Sequence, residues 1–275
     1  MTQLAVSSVM AGFRDHVCRV TGIVLPDTKA PLIHQRLRRR VTALGLASTE
    51  DYLKIVQSPE MAEELALATE LLTTNTTSFF REPDHFRMLA SQILPELTEK
   101  AGRKRLKLWS AASSEGAEAY TMAMVLAEER RKGANFDFAI LGTDISSNML
   151  DRATAAIFDD YQLTGVPKDL LHRYFLIARH PDAGSKARIV PELRARVRFR
   201  KLNLMDATYP IDRDVNVIFL RNILIYFSAE VQRQVIQRVA SHLAPGGYLI
   251  VGHSESMTVR NTSLEQVVPT IFRKV

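Results

Sequence analysis

LKLWSAASSEGAEAYTMAMVLAEERRKGANFDFAILGTD, residues Leu106 to Asp144, is the stretch that decides the fold. Its apolar start (Leu106, Leu108, Trp109) breaks into small residues from Ser110 to Gly116. A helical pattern follows, in which Tyr120, Met124, Ala127 and Arg131 mark successive turns. This order predicts strand, tight turn, helix. A second apolar run, Phe138 to Leu141, ends in Gly142-Thr143-Asp144 and sets a carboxylate at the carboxyl end of the next strand. In a wound α/β sheet, ligands occupy the crevice outside those ends, and an acid on the second strand suits a ribose hydroxyl pair. The stretch is not a dinucleotide fingerprint. Its turn holds one glycine, Gly116, and Asp144 stands 28 residues beyond it, against ~20 in that motif. Two readings therefore stand side by side here: a nucleoside-type cofactor site, or an ordinary βαβ unit in which Asp144 caps the following helix.

The 275 residues, 46% of them apolar, suffice for a large domain with a small one beside it. No apolar run approaches the ~20 residues of a membrane span. No basic region followed by an apolar one opens the chain, so a cytoplasmic protein without membrane insertion is expected. The single cysteine, Cys18, excludes an internal disulfide, fits a reducing compartment and leaves no Cys/His cluster for a metal. The net charge of +6 points to an acidic partner, either nucleic acid or a carboxylate-rich protein. Lys29, Arg36, Arg38, Arg39 and Arg40 crowd into one segment beside Asp27, and a second basic run extends from Lys186 to Lys201.

Residues 1–72 read as short helices. Pro31 suits a first turn, Ile33, Leu37, Val41 and Leu44 form one stripe, and Gly45 ends the helix. Gln35 and Arg39 project opposite the stripe, with Arg36 and Arg38 on its flanks. Ser48 and Ser58 open two further helices. TTNTTSFFREPDHF, Thr73 to Phe86, interrupts the helical pattern with polar side chains (Asn75, Thr77, Arg81) and two anchoring phenylalanines, and Phe86 to Lys100 resumes it. After Asp144, a helix is expected over Ser147 to Ile157 and a small β-subdomain over about 160–200. Strands are expected at Val197 to Asn203, Val215 to Leu220 and Tyr248 to Gly252. A helix from Ala229 to Leu243 and a Pro245-Gly246-Gly247 turn separate the last two strands, and a closing strand pair covers Ser263 to Val275. Polar residues follow three strand ends: Asn203-Leu204, Arg221-Asn222 and His253-Ser254-Glu255. In an α/β sheet these tips converge on the crevice of Gly116 and Asp144.

LTTNTTSFFRE, LWSAASSEGAEAYTMAM, ILGTDISSNMLDRA, FLRNILIYF and PGGYLIVGHSES, in that order, resemble the CheR family of chemoreceptor glutamate methyltransferases over about Pro31 to Phe272. The resemblance implies an all-helical N-terminal receptor-docking domain over 1–72. It also implies a catalytic domain over 73–275, with a linker at about 73–90 and a Rossmann-like S-adenosylmethionine-dependent methyltransferase sheet carrying the inserted β-subdomain. It implies methyl transfer from S-adenosylmethionine to receptor glutamates, with S-adenosylhomocysteine as product and no metal. Carried over motif by motif, Asn75, Thr77, Arg81, Glu118, Asp144, Asn203, Leu204, Arg221 and Asn222 resemble the cofactor contacts, and Arg81 and Tyr226 the catalytic residues. Arg36, Arg38 and Arg39 resemble the surface that docks acidic receptor methylation helices. Two departures stand out. Gly116-Ala117-Glu118-Ala119-Tyr120-Thr121 replaces the G-E-E-P-Y-S frequent in the family. The loop Ile177 to Gly184 lacks the G-x-G of members that bind a receptor's C-terminal pentapeptide, so pentapeptide independence is expected.

Two rivals compete with that activity. A nucleic-acid methyltransferase fits the positive charge. However, Cys18 lies in the helical region, and Arg221-Asn222-Ile223-Leu224 stands where amine methylation places an Asp/Asn-Pro-Pro-aromatic tip, so no nucleic-acid partner is expected. The other rival is a module that senses S-adenosylmethionine without turnover. A monomer is favoured.

Overall fold

The computed structural model describes residues 8–102, 104–180, 184–259 and 263–275. The chain divides into two compact units. One comprises 1–74 with 226–232, and the other 75–225 with 233–275.

The first unit is built on helices α1 (Ser8–Thr21), α2 (Ala30–Ala43), α3 (Thr49–Val56) and α4 (Ala62–Leu71). Phe13, Val17, Ile33, Leu37, Tyr52, Leu53 and Val56 close its core. The α2 stripe stops at Val41, and Leu44 lies past the helix end and is exposed. The cause is the cap. Gly45, at φ +67°, lets its own N–H reach Thr42 O while Leu46 N–H reaches Val41 O, so Leu46 is the residue that folds back onto the core. Ser48 accepts from Asp51 N–H at the start of α3. Arg40 grips Glu64 with two parallel bonds of 2.8 and 2.6 Å, and Tyr52 OH donates to the same carboxylate at 2.6 Å. These contacts hold Glu64 below the usual carboxylate range, with Arg40 the leading cause.

In the second unit a helix starts at Pro83, three residues earlier than expected, with proline at its first position. It opens as α5 (Pro83–Met88) and continues to residue 100. Its later turns, Leu89–Ile93 and Glu96–Lys100, are wound with π hydrogen bonds on either side of Pro95, which has no N–H to give the α ladder. β1 (Arg105–Ala111), α6 (Ala117–Arg131) and β2 (Asp137–Asp144) follow as expected. α7 (Ser147–Ala155) ends two residues early, because Ala156 turns left-handed and Ile157 begins β3 (Ile157–Asp159). α8 (Lys168–Tyr174), β4 (Phe175–His180), β5 (Gly184–Ile189) and α9 (Pro191–Arg194) come next, and β3, β5 and β4 form a small antiparallel sheet in that order. Pro181, Asp182 and Ala183 of the loop singled out in the sequence lie outside the described residues. The chain returns to the main sheet with β6 (Val197–Lys201), β7 (Val215–Leu220), α10 (Ala229–Ser241), β8 (Leu243–Val251), β9 (Leu264–Val268) and β10 (Ile271–Lys274).

The main sheet has the order β6-β2-β1-β7-β8-β10-β9. Every pairing from β6 through β8 is parallel, and β10 and β9 are antiparallel. Strand order reverses between β1 and β7, and a ligand crevice opens outside the carboxyl ends at such a reversal. Pro245-Gly246-Gly247 is not a free turn. It lies within β8, where the register against β7 shifts between Val215 and Val217. Glycine is required at 247, since a Cβ would stand 2.9 Å from Ala244 O and 3.0 Å from Asn216 O. No helix among the described residues is long and apolar enough to cross a membrane.

Candidate active site

The carboxyl ends of β1, β2, β7 and β8 supply the polar groups of the second unit. After β1 the chain turns sharply through Ala112 (φ 60°), Ser114 (φ 50°) and Gly116 (φ 89°) into α6. Phe199 of β6 packs under this turn. A Cβ on Gly116 would lie 2.9 Å from its ring, and one on Gly142 of β2 would lie 2.5 Å from it. Both glycines are therefore dictated by one aromatic ring. Asp144, buried at the end of β2, links the two turns: Oδ2 accepts from Ser114 N–H at 2.8 Å and Oδ1 from Ser146 N–H at 3.0 Å. Asp144 does not cap the following helix, since Ser146 Oγ is the N-cap of α7; its carboxylate holds the two loop N–H groups instead. Ser114 Oγ donates to Asn75 O at 2.7 Å, which ties the linker to the β1 turn.

Arg221 follows β7. Its guanidinium is buried against the stacked rings of Phe86 and Phe219, 5.4 and 5.7 Å from their centroids. Two carboxylates flank it: Glu118 Oε2 lies 3.5 Å from Nε, and Glu82 Oε2 lies 3.9 Å from Nη2. Nη2 donates to Arg81 O, whereas Nε and Nη1 have no hydrogen-bond partner among the described residues. Burial pushes Glu118 up, against the pull of Arg221 and a 2.7 Å hydrogen bond from Ser110. Burial also acts to raise Glu82, but the Asn222 amide and the Arg221 charge prevail and hold it below its ordinary value. Asn222 takes φ +58° and is held from two sides. Its Nδ2 donates to Glu82 Oε1 at 3.0 Å, and its N–H to Glu255 Oε2 at 2.8 Å.

Glu255, 1% exposed, also accepts from Gly252 N–H at 2.8 Å and Leu224 N–H at 2.7 Å. One carboxylate thus shapes the loops after both β7 and β8. Glu255→Gln exchanges one acceptor for a donor facing backbone N–H groups. It is expected to cost about 2 kcal/mol of stability, the scale of a lost charge-assisted bond, and to weaken ligand binding at Arg221. Urea unfolding with calorimetry checks both effects.

The remaining residues singled out by sequence are placed as follows. Thr77 is half-buried in the linker, and Arg81 is exposed with Nη1 donating to Thr76 O at 3.2 Å. Asn203 Oδ1 accepts from Met205 N–H, and Leu204 O from Tyr209 OH and Arg238. Tyr226 groups with the helical unit, where its carbonyl accepts from Val24 N–H at 2.9 Å. Arg38 and Arg39 are exposed on α2. Arg36 differs, because its Nη1 donates to Leu71 O and Thr73 O and so closes the end of α4. Sequence reading missed Glu82 and His85, and took Glu255 as a polar strand end without its backbone partners.

A family model described as "CheR methyltransferase, SAM binding domain" matches residues 75–272, and one described as "CheR methyltransferase, all-alpha domain" matches residues 10–73. The chain belongs to the CheR methyltransferase family. It is 36% identical over 261 residues to "Chemotaxis protein methyltransferase 2" of Pseudomonas aeruginosa, covering 94% of this chain and 90% of that one. It is 38% identical over 250 residues to the "Chemotaxis protein methyltransferase" of Vibrio parahaemolyticus, covering 90% and 88%. A Borreliella burgdorferi protein of the same description is 34% identical over 258 residues, covering 92% and 89%. This CheR protein is an S-adenosylmethionine-dependent methyltransferase. The residues present fit that group. Arg221 Nε and Nη1, buried without a hydrogen-bond partner among the described residues, suit a carboxylate, the adjacent Glu82 Oε2 suits an ammonium, and Asp144 stands at the carboxyl end of β2, where an acid suits a ribose.

Proposed function

We propose that this CheR protein methylates glutamate side chains of chemoreceptors, giving glutamate methyl esters and S-adenosylhomocysteine, in chemotaxis or a related chemosensory pathway. The reading is carried by Arg221, whose Nε and Nη1 have no hydrogen-bond partner among the described residues and which sits beside Glu118 and Glu82 in a domain matched as S-adenosylmethionine-binding. Asn75, Thr77, Arg81, Glu118, Asp144, Asn203, Leu204, Arg221 and Asn222 are assigned to the cofactor, which supplies an electrophilic methyl on a sulfonium. Arg81 and Tyr226 are assigned to the acceptor carboxylate.

The chemistry needs few groups. A glutamate of pKa about 4.3 is already ionised near neutrality, so no base is required. A carboxylate oxygen attacks the methyl carbon, the carbon–sulfur bond breaks, and its electron pair stays on sulfur. No proton moves. The protein's contribution is to orient the oxygen and keep water out. Arg81 can hold the unreactive oxygen with parallel N–H bonds.

Acidic receptor helices are assigned to the exposed face of Arg38 and Arg39, with Arg36 bracing the helix behind them. Reversing Arg38 and Arg39 to Glu is expected to lower receptor methylation at least about tenfold, most strongly at low salt, with cofactor affinity unchanged. Equal loss of both functions counts against docking. The protein is assigned to the cytoplasm as a monomer acting on receptor protein without nucleic acid or a receptor pentapeptide. Incubation with labelled S-adenosylmethionine and receptor cytoplasmic domains, followed by base, tests the activity. Released labelled methanol marks an ester, and base-stable label refutes glutamate as acceptor.

A further inference from the structure

His85, on the first turn of α5, is 2% exposed and places Nε2 2.8 Å from Thr270 Oγ1. The Thr270 hydroxyl donates its hydrogen to Pro269 O, so it can only accept from the ring. Nε2 therefore carries the hydrogen and Nδ1 presents a lone pair. That lone pair faces Glu82 Oε2 at 3.5 Å, and neither atom has a hydrogen-bond partner among the described residues. His253, just past β8, brings Nδ1 to 3.8 Å from the same oxygen. Two buried acceptors, Glu82 Oε2 and His85 Nδ1, thus face each other with no donor between them and His253 Nδ1 beside them, which is unfavourable unless a donor or an electrophile occupies the gap.

We propose that Glu82, His85 and His253 form a binding site for a divalent transition-metal ion of the zinc class. The three ligand atoms lie within 4.8 Å of one another. Metal–nitrogen and metal–oxygen bonds of about 2.0–2.1 Å put tetrahedral ligands roughly 3.4 Å apart, so the separations of 3.5 and 3.8 Å to Glu82 need little closing, and the two ring nitrogens, within 4.8 Å of each other, are brought together by turning the exposed His253 side chain. Two histidines and one carboxylate form a donor set that zinc accepts with a fourth position left open. Outer hydrogen bonds are already in place: Thr270 fixes the His85 ring, and Asn222 Nδ2 holds the second Glu82 oxygen at 3.0 Å. His253 is 59% exposed and gives an ion its way in. The Arg221 guanidinium, 3.9 Å from Glu82 Oε2, opposes the added charge, which makes this an acquired site rather than one the fold requires. A held ion draws Glu82 Oε2 away from Arg221. On the reading of Arg221 as a cofactor contact, metal and cofactor weaken each other by linkage.

Metal-free protein titrated with Co²⁺ tests the site. The expected result is a saturable visible absorption reaching one equivalent. His253→Gln, a change at an exposed side chain, is expected to weaken it more than tenfold, and Thr270→Val about tenfold, the scale of losing an outer partner. No saturable band, or a band unchanged in His253→Gln, overturns the proposal. Calorimetry of S-adenosylhomocysteine with and without Zn²⁺ reads the antagonism separately. Equal affinities remove the antagonism, and failure of the nucleoside to bind in both conditions while Co²⁺ still titrates refutes the cofactor reading alone.

Discussion

Asp144→Ala is expected to reduce calorimetric affinity for S-adenosylhomocysteine at least about 100-fold, equivalent to about 2.7 kcal/mol. Two effects add. The substitution removes the carboxylate assigned to the ribose hydroxyls, where charge-assisted bonds contribute about 1.5–3 kcal/mol each. It also frees Ser114 N–H and Ser146 N–H, which Asp144 binds at 2.8 and 3.0 Å, and so loosens the β1 turn. Asp144→Asn separates the two contributions, since it keeps the volume and one acceptor while losing the charge. A drop of about tenfold is expected for it, with a stability cost of about 2 kcal/mol because its amide NH2 faces one of the two backbone N–H groups. Unchanged affinity in Asp144→Ala refutes the assignment, and loss of folding in that variant shifts the decision to Asp144→Asn.

The central βαβ unit was legible because its signals are local. Leu106, Leu108 and Trp109 read as a strand, the small residues to Gly116 as a turn, and Asp144 as a carboxyl-end acid, and each keeps that role in the structure. The motif resemblance extended this reading to Arg221 and Asn222, of which the structure sets Arg221 against Glu118 and Asn222 against Glu82. What stayed hidden depends on backbone conformation and distant partners. Phe80, Glu82, Ala112, Ser114 and Asn222 adopt φ of 53, 55, 60, 50 and 58°. Such non-glycine residues give no sign in sequence that they are left-handed, and they gather where strain is tolerated for function. Glu255 read as a polar tip, yet its contribution is to backbone N–H groups up to 33 residues away. His85 finds its partner 185 residues along the chain. Arg36 fell on the charged side by periodicity, which counts faces but not the carbonyls of Leu71 and Thr73 within its reach. Pro245-Gly246-Gly247 has the composition of a turn, and only the β7 register reveals it as a bulge inside a strand.

Arg221→Met is expected to abolish measurable cofactor binding and to change the pH dependence of stability. Methionine keeps contact with Phe86 and Phe219 but removes every donor that Nε and Nη1 offer, and it leaves Glu118 and Glu82 without their shared cation. Removing one partner of a buried ion pair costs about 3–5 kcal/mol when the other stays charged. Glu118 avoids part of that cost by taking up a proton, because burial has already raised it. The sign follows from linkage. A carboxyl whose folded pKa exceeds its unfolded value binds more protons folded than unfolded, so its stabilising effect is complete below the unfolded pKa and is lost as pH rises toward the folded one. Arg221→Met pushes the folded value of Glu118 higher and extends the loss further into the neutral range. The variant is therefore expected to be closest to wild type near pH 5 and to fall furthest behind near pH 8. Arg221→Met with Glu118→Gln removes one of the two carboxyls that face the Arg221 charge and is expected to reduce that difference, and adding Glu82→Gln removes the other and is expected to flatten it. Urea unfolding of the four proteins across this range decides the matter. A stability gap that is constant with pH in Arg221→Met, or that is the same with and without Glu118→Gln, means that Glu118 does not respond to the Arg221 charge and that the pair is not the electrostatic centre of the site.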